Sequence, residues 1–401
     1  MADKTLKAAY VSLGYSVLLF SHSTPTTSIL DKTRIKSNIE IDFSISIRFV
    51  FNIGEIKISE KSGVNDMSKK CYQLAHDLTI CRILNGMWQV AGGHGYIDYE
   101  LAMADMIRYH DAGFTTWDLA DIYGPAEDFI GEFRRRLWTH KRKEELDRIQ
   151  ALTKWVPQPG RITRSIVKEN IERSLRRMSV NSLDLLQFHW WDYDSPYYMD
   201  ALKYLSDLRD EGIIKHIGLT NFDTERMQIM KDSDLQIVSN QVQYSIIDRR
   251  PEVKMIPFCQ DNNISLLAYG SICGGMMSER YLGRTQPSAA ELNTLSLRKY
   301  KQMIDAWGGW NLFQELLSTL KRIAQKHNAS IANIASHYIL SKPAVAGVII
   351  GVRLGIVDHR NNNTQVFNFS LDKTDHDDID AVCTKSNNLF EIIGDCGDEY
   401  R

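Results

Sequence analysis

Four side chains in the first half of the chain have the types needed to move a proton onto a carbonyl oxygen. Asp118 and Tyr123 stand five residues apart in Thr-Thr-Trp-Asp-Leu-Ala-Asp-Ile-Tyr-Gly, residues 115–124. Lys154 and His189 each close a later apolar run. A free phenol has a pKa near ~10, too high for an efficient acid at neutral pH. A nearby ammonium favours the phenolate and lowers that value. Lys154 would supply the ammonium, Asp118 a carboxylate to hold it, and His189 a ring N–H to orient the carbonyl oxygen. Proton delivery of this kind is useful where a hydride arrives at the carbonyl carbon. Taken singly, each residue has an ordinary structural role: Tyr123 in the core, Asp118 at a turn, Lys154 along the surface, His189 buried and satisfied. The case for chemistry is the set, because three adjacent strand ends supply these four types in order.

Those strand ends come from a regular pattern. Strand-like runs lie at residues 79–85, 114–119, 149–154, 183–189, 214–219, 237–241, 264–269 and 345–350. Helical segments at 99–111, 127–138, 163–178, 196–211, 224–231, 252–262, 311–326 and 357–366 fall between or after them. Such alternation implies a parallel sheet with helices on its face. Eight units predict a closed (β/α)8 TIM barrel with an atypical N-terminal extension, and in a barrel functional residues sit at the C-terminal ends of strands. A doubly wound sheet would carry a G-x-G-x-x-G turn after a strand. Gly92-Gly93-His94-Gly95 lacks that spacing, so the barrel is preferred. The stretch 271–310 interrupts the pattern and reads either as a lid or as a surface insertion with its own short helix. Residues 371–387 read as a polar helix outside the barrel.

Two domains are expected: an extension at 1–77 and the barrel at 78–395. Residues 8–20 are mostly apolar and follow Lys4 and Lys7, a length suited to a signal-peptide core and too short to span a membrane. Ser and Thr richness at 21–28 instead suggests an organelle transit peptide, although residues 1–70 hold seven acidic residues beside ten basic ones. The chain is thus expected in the cytoplasm, or in a plastid or other organelle if residues 1–30 are a targeting segment. Strict alternation from Ile39 to Ile53, then Ile56 and Ile58 after Gly54, reads as a β-hairpin.

Composition narrows the function. The 401 residues are 43% hydrophobic and 10% aromatic, enough for a sizeable core. A net charge of −2 argues against non-specific nucleic-acid binding. The basic run of Arg134, Arg135, Arg136, Lys141 and Lys143 reads as a solvated helix face. Six cysteines without C-x-x-C spacing suggest neither a zinc site nor a disulfide framework. No metal is required by the chemistry read here.

The motifs together resemble the aldo/keto reductase family from about residue 79 to 388. Asp118-Leu-Ala-Asp-Ile-Tyr123-Gly124 resembles its D-x-A-x-x-Y-G signature, and Leu152-Thr-Lys154 its catalytic-lysine strand. Asp184-Leu-Leu-Gln-Phe-His189-Trp190 resembles its D-L-x-x-x-H-W segment. Gly218-Leu-Thr-Asn221-Phe222 is similar to its G-x-S-N-F turn, with Thr220 where serine is usual. Asn240-Gln241-Val242-Gln243-Tyr244 and Leu267-Ala-Tyr269 are similar to two further segments.

The resemblance implies an NADPH-dependent reductase of an aldehyde or ketone. Tyr123 would be the general acid, assisted by Lys154 and Asp118, with His189 orienting the substrate. Thr220, Asn221 and Gln241 would bind the nicotinamide carboxamide, and Tyr269 would stack on the ring. The resemblance extends the cofactor contacts to Gly270 and Ser271 after the seventh strand, and to Gly351, Arg353, His359 and Asn363 after the eighth. Here Gly270-Ser271-Ile272-Cys273-Gly274-Gly275 departs from a Ser-Pro-Leu type loop. Gly351-Val352-Arg353 replaces the lysine that other branches turn to a 2′-phosphate, leaving Arg353, His359 or backbone donors at a helix start to take that charge. Trp88, Trp155, Trp190, Trp191 and Tyr244 read either as an aromatic pocket wall or as core. A small-molecule carbonyl substrate follows, in a monomer or weak oligomer. The alternative function is a nucleotide-binding regulatory or redox-sensor module of the same fold with little turnover.

Overall fold

The computed structural model describes residues 67–140 and 142–400. The apolar run at 8–20 and the alternating segment from Ile39 onward lie outside the described residues. A single helical turn, α1 (Met67–Lys70), leads into an antiparallel hairpin of β1 (Cys71–Ala75) and β2 (Leu78–Cys81). Eight parallel strands then close a barrel: β3 (Ile83–Gly86), β4 (Thr116–Asp118), β5 (Gln150–Trp155), β6 (Leu183–His189), β7 (Ile214–Thr220), β8 (Ser239–Gln243), β9 (Ser265–Tyr269) and β10 (Val345–Gly351). β10 pairs with both β9 and β3, which completes the ring. The (β/α)8 barrel read from the sequence is the fold.

Period-two alternation sorts the inward residues into two levels. Leu84, Leu152, Leu185, Leu267 and Ala346 form an apolar floor, covered from below by Leu74, Leu78 and Ile80 of the hairpin. Two residues beyond Leu152 and Leu185, Lys154 pairs in register with Gln187, and one further inward step along β6 His189 pairs with Thr220 of β7. The floor excludes water from one end of the barrel, and the polar level faces the other.

The first strand differs from its sequence reading. Residues 79–85 are two strands broken at Arg82, and the hairpin extends the described unit upstream of residue 78. Cys81 still pairs with Cys71, whereas Ile83 already pairs with Val348. Arg82 makes the corner, donating to the carbonyls of Leu340 at 2.6 Å, Val345 at 3.1 Å and Ala346 at 3.2 Å.

Helices cover the barrel: α2 (Tyr99–Asp111), α3 (Ala126–Thr139), α4 (Arg164–Met178), α5 (Tyr198–Asp210), α6 (Thr224–Asp232) and α7 (Met255–Asn262). Thr163 caps α4 and Asp223 caps α6 through side-chain oxygens. α3 and α4 meet at Gly131, where a Cβ would stand 2.1 Å from the Arg177 carbonyl oxygen. Within 271–310 the chain forms a 3-10 turn (Cys273–Gly275) and α8 (Leu295–Trp307), which buries Tyr300, Ile304 and Trp307. α9 (Gly309–Lys326) follows, then α10 (Ile331–Leu340), a helix the sequence reading missed. Its run Ile-Ala-Asn-Ile-Ala-Ser-His-Tyr-Ile-Leu is apolar on most faces, so no 3.6 period stands out. The expected helix at 357–366 is shorter, α11 (Arg360–Thr364) with a 3-10 turn after it. The polar helix of the tail is α12 (Lys373–Cys383), opened by a capping box of Asp372 and Asp375. A last short helix, α13 (Leu389–Ile393), precedes the C-terminal segment. Among the described residues no helix is long and apolar enough to cross a membrane.

Candidate active site

The loop after β4 is laced to the end of β5. Leu119 N–H donates to the Leu152 carbonyl at 3.1 Å, and Asp121 N–H to the Lys154 carbonyl at 2.9 Å. Arg177 of α4 donates to the carbonyls of Asp121 and Gly124 from outside. Gly124 takes a positive φ of 53°, which turns the chain into α3 directly after Tyr123. Asp118, Lys154 and Tyr123 are thereby held on neighbouring strand ends.

Lys154 is 2% exposed and Asp118 3%. The Lys154 ammonium donates to both Asp118 oxygens, at 2.7 and 2.8 Å, and to the Leu119 carbonyl at 3.1 Å. Burial pulls the Lys154 pKa below its ordinary value, and the Asp118 charge opposes that pull. The ammonium sits 5.2 Å from the centre of the Tyr123 ring, which also meets Trp88 at 4.8 Å, edge to face. His189 is 6% exposed, stacks obliquely on Trp191 at 4.2 Å, and has Nε2 3.5 Å from Asn221 Nδ2. These four residues share one end of the barrel.

Gln187 is a member the sequence reading passed over. Its Nε2 donates to Asp118 Oδ1 at 3.0 Å, and its Oε1 accepts from Gln241 Nε2 at 2.7 Å. Gln241 Nε2 also reaches Asp118 Oδ1 at 2.6 Å, so that amide nitrogen is committed to the carboxylate. The signal was present in the sequence: Gln187 occupies an inward position of β6 between Leu185 and His189, where an amide in an apolar strand needs a partner.

The expected cofactor residues form two groups. Thr220, Asn221 and Tyr269 lie at the ends of β7 and β9, with Asn221 at φ 58° and the Tyr269 hydroxyl donating to Asn221 Oδ1 at 2.9 Å. Gly270, with φ 76°, packs so closely on Tyr300 that a Cβ would meet its hydroxyl at 2.5 Å, and Ser271 follows. Gly351 ends β10 and leaves room only for Gln89, while Asn363 sits on α11 with its N–H bonded to the His359 carbonyl at 2.8 Å. Among the described residues Thr220 Oγ1, Ser271 Oγ and Asn363 Nδ2 are buried without a hydrogen-bond partner. Other buried polar atoms elsewhere in the barrel share this state, and at these three positions a polar ligand such as a dinucleotide would satisfy them.

Beyond the second group lies a basic cluster. Burial first and exposed Arg353 second lower the proton affinity of His94; burial also lowers that of His359, where Asp358 opposes it and Arg353 adds to it. Arg298 of α8 acts on His94 in the same way. His94 and Arg298 were not foreseen, since they approach Arg353 from distant parts of the chain. The aromatic set divides: Trp155, Trp190 and Tyr244 are core, each 2% exposed or less, while Trp88 and Trp191 border the site.

Comparison with known proteins agrees with this fold. The model of the aldo/keto reductase family matches residues 82–384. Aldo-keto reductase YhdN of Bacillus subtilis strain 168 is 24% identical over 322 residues, covering 78% of this chain and 92% of the relative. The NADH-specific methylglyoxal reductase of Escherichia coli strain K12 is 21% identical over 326 residues, covering 75% and 93%. Among solved structures, a glycerol dehydrogenase from Gluconobacter oxydans superposes with a TM-score of 0.66 at 20% identity, covering 80% of this chain and 96% of that one. An aldo/keto reductase from Klebsiella pneumoniae in complex with NADP and acetate superposes at 0.59 with 21% identity, covering 78% and 95%.

Proposed function

The chain belongs to the aldo/keto reductase family of oxidoreductases, and on that premise we propose that it reduces an aldehyde or ketone to the alcohol, using NADPH, with Tyr123 as proton donor. The observation that carries this reading is the buried Lys154–Asp118 pair beside the Tyr123 ring. When bound, the dinucleotide supplies the hydride. Tyr123 gives its phenolic proton to the carbonyl oxygen, and the Lys154 ammonium steadies the negative charge left on the phenolate. Asp118 holds that ammonium in place, and Gln187 and Gln241 hold Asp118. His189 orients the carbonyl oxygen by a hydrogen bond from its ring. Water is kept from below by the leucine floor and the hairpin.

Thr220, Asn221 and Tyr269 would hold the nicotinamide end, Ser271 and the following 3-10 turn the pyrophosphate, and Gly351 and Asn363 the adenosine. Arg353, with Arg298 acting on the same His94, supports NADPH over NADH, because a 2′-phosphate needs cationic partners. The Escherichia coli relative is NADH-specific, so coenzyme choice varies among related proteins. The test is steady-state oxidation of NADPH and of NADH against a panel of aldehydes and ketones, with Tyr123→Phe alongside. Turnover by the wild type and its loss in Tyr123→Phe is the expected result. Undiminished activity in that variant would sink the mechanism. Nucleotide binding without turnover of any carbonyl would favour a regulatory module.

A further inference from the structure

The last residues of the chain return to the barrel mouth. Segment 395–399 is fixed at several points: Thr224 N–H donates to Asp395 Oδ2 at 3.0 Å, and Arg250 Nη1 to the Asp395 carbonyl at 3.1 Å. Cys396 is 1% exposed. The Arg250 side chain is 1% exposed and divides its guanidinium between two carboxylates. It grips Asp248 through Nε and Nη2, each at 2.8 Å, and Glu399 Oε2 through Nη1 at 2.8 Å. The other oxygen of Glu399 lies 3.4 Å from the Tyr269 hydroxyl, whose single proton it shares with the nearer Asn221 Oδ1 at 2.9 Å. The Lys299 ammonium stands 5.0 Å over the Tyr269 ring, within electrostatic range of Glu399, Arg250 and Asp248.

Arg250, Lys299, Asp248 and Glu399 thus lie together at the rim. Taking Glu399 away would remove one carboxylate that faces Arg250 and Lys299, and one acceptor that faces the Tyr269 hydroxyl. Buried charges of this kind persist only when paired and hydrogen-bonded. We infer that Glu399 is a positioning residue: from the C-terminal segment it fixes Tyr269 and balances Arg250 and Lys299, so the nicotinamide end of the site is complete only with residues 395–399 seated. This rests on the assignment of Tyr269 and Asn221 to the nicotinamide made above. A ring fixed before the cofactor arrives costs less ordering on binding, which is the physical gain.

The experiment is titration of the purified full-length protein with NADPH, followed by quenching of tryptophan fluorescence, for wild type, Glu399→Gln, Tyr269→Phe and the double variant. Glu399→Gln keeps the shape and removes the charge. Each single variant should weaken NADPH binding about tenfold, the scale of one charged hydrogen bond, with KM for the carbonyl changing less. Because Glu399 acts through Tyr269, the double variant should bind no more weakly than the weaker single one. Losses that multiply in the double variant, or wild-type affinity in a folded Glu399→Gln, would overturn the inference. Where Glu399→Gln does not fold, Tyr269→Phe decides, since wild-type affinity there overturns it equally. Wild-type protein that bound neither NADPH nor NADH would instead remove the reductase reading, and this inference with it.

Discussion

The Lys154 ammonium bridges both oxygens of Asp118, at 2.7 and 2.8 Å, in a site where neither side chain is more than 5% exposed. A pair this buried contributes through its consequences when broken more than through its own attraction.

Lys154→Met should therefore lose stability and activity together. It leaves Asp118 charged, buried and held only by Gln187 and Gln241, and breaking such a pair costs about 3–5 kcal/mol. Asp118→Asn keeps the shape and should cost less stability while still losing turnover, because the ammonium loses its anchor. Urea denaturation with steady-state kinetics on both variants checks this. A Lys154→Met protein as stable as wild type would mean that the pair carries none of this cost.

Asp118, Lys154 and His189 were legible in the sequence because each is a polar residue closing an apolar strand-like run, and in a barrel such ends face one rim. The helix read at 163–178 was legible for a similarly local reason, and it runs from Arg164 to Met178 with Thr163 as its cap. What could not be read is what depends on distant contacts. Arg250 and Glu399 meet across most of the second half of the chain, and no spacing rule joins them. The break at Arg82 arises because its two flanks pair with different sheets, which only the folded topology dictates. Helix α10 was hidden by its own burial, since a helix covered on most sides loses the polar stripe that reveals its period.

Coenzyme preference should rest on Arg353. Arg353→Ala is expected to raise KM for NADPH about tenfold, the worth of one charge-assisted contact, and to leave KM for NADH nearly unchanged. Paired kinetics with the two coenzymes measure it. Equal effects on both would place Arg353 away from the 2′-phosphate.

Asp121, the extra acid of the Tyr123 loop, should make stability depend on pH. Burial first, and the Glu127 charge second, raise its carboxyl to about 7. In the unfolded chain it titrates near ~4. The folded protein therefore holds a proton there that the unfolded chain has lost between those two values. That contribution to stability is complete below the unfolded pKa and disappears as pH rises through about 7. Asp121→Asn keeps an acceptor for the Val156 N–H, 3.2 Å from Oδ1, and never ionises. Its Tm should exceed that of wild type at about pH 8 and converge with it as pH falls to about 4, read by thermal denaturation across that range. A Tm difference independent of pH would place the Asp121 pKa outside this window.

The hairpin, rather than anything before it, should close the barrel. Leu74, Leu78 and Ile80 cover the floor made by Leu84, Leu152, Leu185, Leu267 and Ala346. The compact unit begins at Met67, and Arg82 N–H is bonded to the Lys70 carbonyl at 2.8 Å. A chain starting at Met67 keeps every one of these contacts and should match the full-length protein in Tm and turnover. A chain starting at Asp77 loses β1, which leaves β2 without its partner and the floor open to water. Losing Leu74 alone would cost about 2–5 kcal/mol on the scale of buried leucine truncations, before any contribution from unpaired backbone. That shorter chain should melt earlier and bind a hydrophobic dye such as ANS, because the exposed leucines form one contiguous patch. Equal Tm for the two truncations would show that the floor is closed without β1.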